Sequence, residues 1–151
     1  MQFTFPHRRY LKLAAFALAF ALLVPAVAPA KTGKYKGTVA GDDNAKVQFK
    51  VARKHGKRKV QEKAGWKALD ATCDGKVEQI ETHFYVTAKV RKSGTFRLDA
   101  TDSANTVIYL EGKIAGGGTA SGTLRLKDEI VFDDGPRQCD SGMKTWSAEV
   151  K

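Results

Sequence analysis

The chain is poor in the side chains that most enzymes work with. Its 151 residues include 3 histidines and 2 cysteines. It has no Gly-x-Ser-x-Gly elbow, so no serine is presented as a nucleophile. It has no Cys-x-x-Cys and no histidine near either cysteine, which argues against a zinc site. Asp133-Asp134-Gly135 offers oxygen donors but lacks the ligand spacing of a calcium loop, and Asp-Gly is first of all a turn. Beyond residue 30 only His55 and His83 could act as general bases, and neither has a nucleophile at a recognisable spacing. A pair of carboxylates for glycoside cleavage is the one catalytic arrangement that linear spacing does not exclude. No catalytic residue, metal ligand or cofactor is assigned, and the sequence reads as that of a non-catalytic protein.

Acidic residues are absent from the first thirty positions, where Arg8, Arg9 and Lys12 precede the apolar run Leu13–Val24. Twelve apolar residues are too few for a bilayer span, which needs about 20. Ala28-Pro29-Ala30 then supplies small residues at the positions an export peptidase reads. Residues 1–30 are therefore expected to be a helical signal peptide cut after Ala30, and 31–151 a single secreted, extracytoplasmic domain. Arg8-Arg9 hints at twin-arginine export, but His7 stands where Ser or Thr usually precedes the pair, so general secretion ranks first. Both cysteines lie far from the leader, so no lipid-anchor cysteine is present.

Three of the 26 basic residues and none of the 16 acidic ones precede Lys31, leaving residues 31–151 with a net charge of +7. Such a balance attracts polyanions. Outside a cell these would be an anionic envelope polymer or a membrane surface. In an exported chain the default reading of Cys73 and Cys139 is a disulfide. A loop of that length would be worth about 4 kcal/mol on chain-entropy grounds.

Along the secreted part, apolar and polar residues alternate with a period of two. Tyr35/Gly37/Val39, Val47/Phe49/Val51, Phe96/Leu98/Ala100, Ile108/Leu110/Gly112/Ile114, Leu124/Leu126 and Trp146/Ala148/Val150 form the apolar sets. Turn signals separate the runs, among them Gly41–Asn44, His55-Gly56, Cys73-Asp74-Gly75, Lys92–Gly94, Asp102–Asn105, Gly116–Gly118, Asp133–Pro136 and Asp140–Gly142. This predicts an all-β fold, an antiparallel β-sandwich or small β-barrel of about eight or nine strands. Val60–Leu69 is ambiguous, with a helical turn as one reading, and within Val77–Val90 a strand is expected only around Phe84–Val90.

The order of Tyr35-Lys36-Gly37-Thr38, Val47–Val51, Cys73-Asp74-Gly75, Gly94-Thr95-Phe96, Ala120–Leu124 and Cys139–Gly142 with Trp146-Ser147-Ala148 resembles a group of small exported bacterial β-domain proteins, themselves uncharacterised. The resemblance implies an all-β domain with a Cys73–Cys139 bridge, and carries over no catalytic residue.

The densest functional feature is the run Lys50, Arg53, Lys54, His55, Lys57, Arg58 and Lys59, with His55-Gly56 at the expected hairpin tip. Cations this close raise the local potential and favour a polymer that releases counterions on binding. The competing reading is a solvated hairpin whose lysines discourage edge-to-edge aggregation. No aromatics are interleaved to stack on bases, which argues against nucleic acid as the natural partner. Trp146 falls in phase with the core and Trp66 is expected to be exposed. Three functions follow. The first is a monomeric binding module for an anionic polymer or surface. The second is a lipocalin- or avidin-like barrel around a small apolar ligand. The third is a structural or inhibitor-type domain.

Overall fold

Residues that alternate in sequence pair in space. The computed structural model describes residues 29–85, 87–101 and 106–151, so the expected leader helix and the Asp102–Asn105 turn lie outside the described residues. Ten strands form: β1 (Gly33–Val39), β2 (Asp42–Lys54), β3 (Lys57–Cys73), β4 (Lys76–Tyr85), β5 (Ala88–Lys89), β6 (Thr95–Thr101), β7 (Val107–Ile114), β8 (Thr119–Phe132), β9 (Gly135–Asp140) and β10 (Lys144–Val150). Tyr35, Val39, Val47, Phe49, Val51, Phe96, Leu98, Leu110, Ile114, Leu124, Leu126, Trp146 and Ala148 are buried as the period of two requires. Ala100 departs from it and is exposed.

Hydrogen bonds follow the order β10-β1-β2-β3-β9-β8, and β10 pairs back onto β8, so the circuit closes. A closed antiparallel circuit is a barrel, not a pair of stacked sheets. β8 also carries β7, and β7 carries β6. Val60 of β3 pairs with Val51 on one edge and Ala88 of β5 on the other. The chain then turns tightly into β6, where the Arg91 amide donates to Thr95 O at 2.8 Å. β3 and β8 thus run through both parts of the wall. Cys73 and Cys139, directly opposite each other, are bonded at the far end of β3, where β3 and β9 share two register pairs.

Three expectations need correction. Val60–Leu69 is not a helical turn but the middle of β3, and β4 occupies Lys76–Tyr85 while β5 is only two residues long. The cause is a bulge. Ala68 takes φ 50°, and register slips between Trp66 and Leu69. Val60, Ala64 and Trp66 face inward before it, and Leu69, Ala71 and Cys73 after it, so the parity changes and the alternation is broken in sequence. The buried carboxylate of Asp42 braces this bulge, accepting from Ala45 N at 3.1 Å and Asp70 N at 2.8 Å. Trp66 is consequently buried rather than exposed.

Aromatic rings fill one region of the interior. Tyr35 stacks on Phe49 at 5.0 Å, and Phe49 meets Phe96 at 5.3 Å and Trp146 at 5.5 Å. The ring of Trp146 needs a wall without side chains. A Cβ on Gly112 would lie 2.5 Å from its Cζ2 and 2.7 Å from Ser121 O. Opposite Gly112 sits Gly122, itself paired with Trp146. The glycines let β7 and β8 approach the indole closely, a common use of glycine in barrel strands.

Gly112→Ala should therefore destabilise the domain by about 1–3 kcal/mol through overpacking. Gly117→Ala, where a Cβ would meet nothing within 4 Å, should stay within about 0.5 kcal/mol of the parent. Urea midpoints at constant slope check both. Replacing Cys73 and Cys139 together by alanine should cost about 4 kcal/mol. Amide exchange should then accelerate in β9 before β1, because β9 has two register pairs to β3 while β1 is paired along both edges.

Candidate anion-binding cleft

β2 and β3 are joined by His55 and Gly56 alone, at φ 50° and 74°. Two consecutive positive φ values make the tight turn that matches strand twist, and glycine takes the second position without a Cβ penalty. Register then puts Lys54 opposite Lys57, Arg53 opposite Arg58, Ala52 opposite Lys59, and Val51 opposite Val60. Val51 and Val60 face the core. Arg53 and Arg58, two residues away, therefore continue that inner face at the barrel rim. Lys50, Lys54, Lys57 and Lys59 belong to the outer face.

The basic run is thus not one patch, and the structure adds cations to part of it. A cleft of about 570 Å³ is lined by Arg53, Gly56, Lys57 and Arg58 from the hairpin and by Lys89, Val90, Arg91 and Lys92 from β5 and the following turn. Six of these residues are cations and none is a carboxylate. Val90 N donates to Arg58 O at 3.0 Å, which holds the two segments together at the cleft floor. Lys50, Lys54, Lys59 and His55 are not among the lining residues. Lys59 sits beside the cleft, directly opposite Lys89. Lys89, Arg91 and Lys92 were missed because they lie more than thirty positions from the hairpin. The cue Arg91-Lys92-Ser93-Gly94 reads only as a turn.

Arg53/Arg58, Lys54/Lys57 and Lys59/Lys89 are like charges placed directly across neighbouring strands. Such pairs destabilise a sheet by a few tenths of a kcal/mol or more. The described ion pairs that could offset them lie elsewhere. They join Lys67 and His83 to Glu81, Arg97 to Asp99, Arg125 to Asp140, and Arg137 to Glu78 and Asp134. Arg97, close to the cleft, is held by Asp99 and lies over the Tyr109 ring at 5.1 Å.

The opposite end of β3 and β8 has the reverse character. Asp74, Glu78, Asp128, Glu129, Asp133, Asp134 and Asp140 gather around the β3–β4 and β8–β9 turns and β9. Several are structural. Asp140 takes two bonds from Arg125, at 3.1 and 2.6 Å, and a third from Gly142 N at 2.8 Å. The Arg125 bonds hold its carboxyl below the ordinary aspartate range, against a smaller upward push from burial. His83, whose Nε2 lies 3.0 Å from Glu81 Oε1, is on β4, and His55 is at the tip of the β2–β3 hairpin. Among the described residues no group of three His, Cys, Asp or Glu side chains could hold a metal ion.

Other clefts open on the outer wall. One is lined by Lys36, Thr38, Lys113, Thr119, Ser121, Ser147 and Glu149, all on exposed or half-exposed faces of β1, β7, β8 and β10. The inward faces of the same strands carry Tyr35, Leu110, Leu124 and Trp146, which occupy the barrel interior. The chain matches no protein-family model, and no curated protein or solved structure is detectably similar to it.

Since the folded-state carboxyl of Asp140 is depressed, its contribution is complete above the unfolded carboxylate value near 4 and is lost as pH falls through the lower folded value. Asp140→Asn should lower the melting temperature at pH 7 and lose less between about pH 4 and 2 than the parent does. Thermal melts across that range provide the check. A parallel decline in both proteins would remove Asp140 from the account.

Proposed function

We propose that the protein is an exported, non-catalytic module that binds an anionic envelope polymer or surface through the cleft at the β2–β3 tip. The observation that carries this reading is the convergence of Arg53, Lys57, Arg58, Lys89, Arg91 and Lys92 on one cleft with no lining carboxylate. Self-repulsion within such a set is relieved when an anion enters. Binding releases counterions from the polymer, which supplies the driving force. The polarity of the barrel, cationic at this end and acidic at the other, orients the molecule as it approaches. Export supports an extracytoplasmic partner: residues 1–30 have the composition of a cleavable leader, and a cystine is at home outside the cytoplasm. Arginine contributes planar, two-pronged donors suited to phosphate or carboxylate, and lysine contributes mobile point charges.

Retention of residues 31–151 on isolated cell-wall material should fall log-linearly with salt, with a slope near −4 if all six cations are engaged, at about −0.7 per charge. Changing Lys57, Arg91 and Lys92 together to Gln should flatten the slope by about 2. Lys76→Gln with Lys144→Gln, outside the cleft, should leave it unchanged. Retention that is absent at low salt, or identical in the triple variant, would refute the reading.

A further inference from the structure

Arg58 of the cleft is already holding an oxygen. Its Nη1 donates to the main-chain carbonyl of Ala30 at 3.0 Å. Ala30 is only 5% exposed and packs with the core, although Lys31 and Thr32 separate it from the first strand. The next carbonyl, of Lys31, accepts from the Tyr35 hydroxyl at 2.9 Å. Two consecutive carbonyls thus pin the segment against the basic end of the barrel. This is also the segment that the leader reading divides, since Ala30–Lys31 is the bond expected to be cut.

We propose that removal of the leader completes an oxyanion site, formed by the guanidinium of Arg58 and the new α-ammonium of Lys31, for a phosphate group of the bound polymer or surface. The inference rests on the anion-binding reading above. Hydrolysis of the Ala30–Lys31 amide consumes one water. It leaves the carboxylate on the departing leader and an ammonium on Lys31. Ala30, being buried here, is cut before this segment docks. In the uncut chain the Ala30 oxygen occupies the place of a ligand oxygen on Arg58. Once it is gone, Arg58 loses that acceptor beside a newly charged neighbour. Standard peptide geometry puts a carbonyl oxygen about 2.3 Å from the following nitrogen. The Lys31 nitrogen therefore lies no more than about 5 Å from Arg58 Nη1, given the 3.0 Å bond. Two cations at that separation call for an anion between them. A tetrahedral phosphate, with several acceptor oxygens, can take bonds from both. Leader removal then does more than release the domain: it leaves a positive charge at the cleft where the uncut chain holds a neutral plug.

Four proteins test this: the chain from Lys31 to Lys151, the same chain acetylated at the Lys31 α-nitrogen, and the Arg58→Gln chain in free-amine and acetylated forms. All ten strands lie within Gly33–Val150, and thermal melts confirm that each form is folded. The acetyl carbonyl restores the neutral plug and removes the charge. Binding to inorganic polyphosphate and to phosphatidylglycerol vesicles is measured across salt. The free-amine form should bind about fivefold more tightly at low salt than the acetylated form, with a slope steeper by about 0.7. Acetylating the Arg58→Gln protein should then have little further effect. Binding to polyphosphate alone identifies a polymer as the phosphate source, and binding to vesicles alone a lipid headgroup. Either one, or both together, supports the site where the free-amine form is the tighter binder. Equal affinity of the free and acetylated forms overturns this proposal while leaving the anion-binding cleft standing. No binding by any form overturns both.

Discussion

β10 is hydrogen-bonded along both edges, to β1 over Val39–Tyr35 and to β8 over Thr119–Leu124. That double pairing turns a ribbon of antiparallel hairpins into a closed wall, and the rest of the arrangement depends on it. Closure gives each of the six strands in the circuit a hydrogen-bonded neighbour on the circuit's side, while β4 and β6 lie outside it. It also forces the strands to curve tightly around the large ring of Trp146. Gly112 and Gly122 face this ring because any Cβ there would meet backbone or indole. The seven-residue β10 thus carries the largest aromatic of its region and the hydrogen bonds that close the circuit around it.

A closed wall has two rims, and in this molecule they differ in charge. β3 and β8, the two longest strands, extend between them. At one rim the β2–β3 and β5–β6 turns bring together six cations. At the other, β9 and the disulfide clamp the outer ends of β3 and β8 beside a group of carboxylates. At the acidic end Arg125 is bonded to Asp140, and Arg137 to Glu78 and Asp134. The basic end has like charges opposed across its strands. These opposed cations carry a cost in stability that a single neutral substitution would relieve, which fits the proposed binding role. The six cations that line the cleft, with no carboxylate among them, are the main physical support for the proposed placement of function at the basic rim.

The rigid parts of the cleft come from backbone pairing and the mobile parts from side chains. The tight turn at His55-Gly56 fixes the hairpin tip, and the Val90–Arg58 hydrogen bond fixes the second wall against it. Above that frame Arg58 is held on the Ala30 carbonyl, while the lysines present point charges on long, flexible stems.

The all-β class, the hairpin turn at His55-Gly56 and most inward-facing residues were legible in the sequence, because alternation and turn chemistry are local and the barrel obeys them. The bulge at Ala68 was not. It shifts the alternation by one residue in mid-strand, so β3 did not look like a strand and Trp66 appeared free to face solvent. It is braced by a long-range contact, the Asp42 carboxylate on Asp70 N, which no local pattern reveals. The candidate site divides in the same way. The sequence alone determined a positive hairpin, since adjacent lysines and arginines stay adjacent however the chain folds. Only the tertiary structure decided that Lys50, Lys54 and Lys59 fall outside the cleft, that Lys89, Arg91 and Lys92 line it, and that Ala30 rests on Arg58. The reason is that strand register, set by closure of the whole barrel, chooses which side chains share a face and which distant turns meet at a rim.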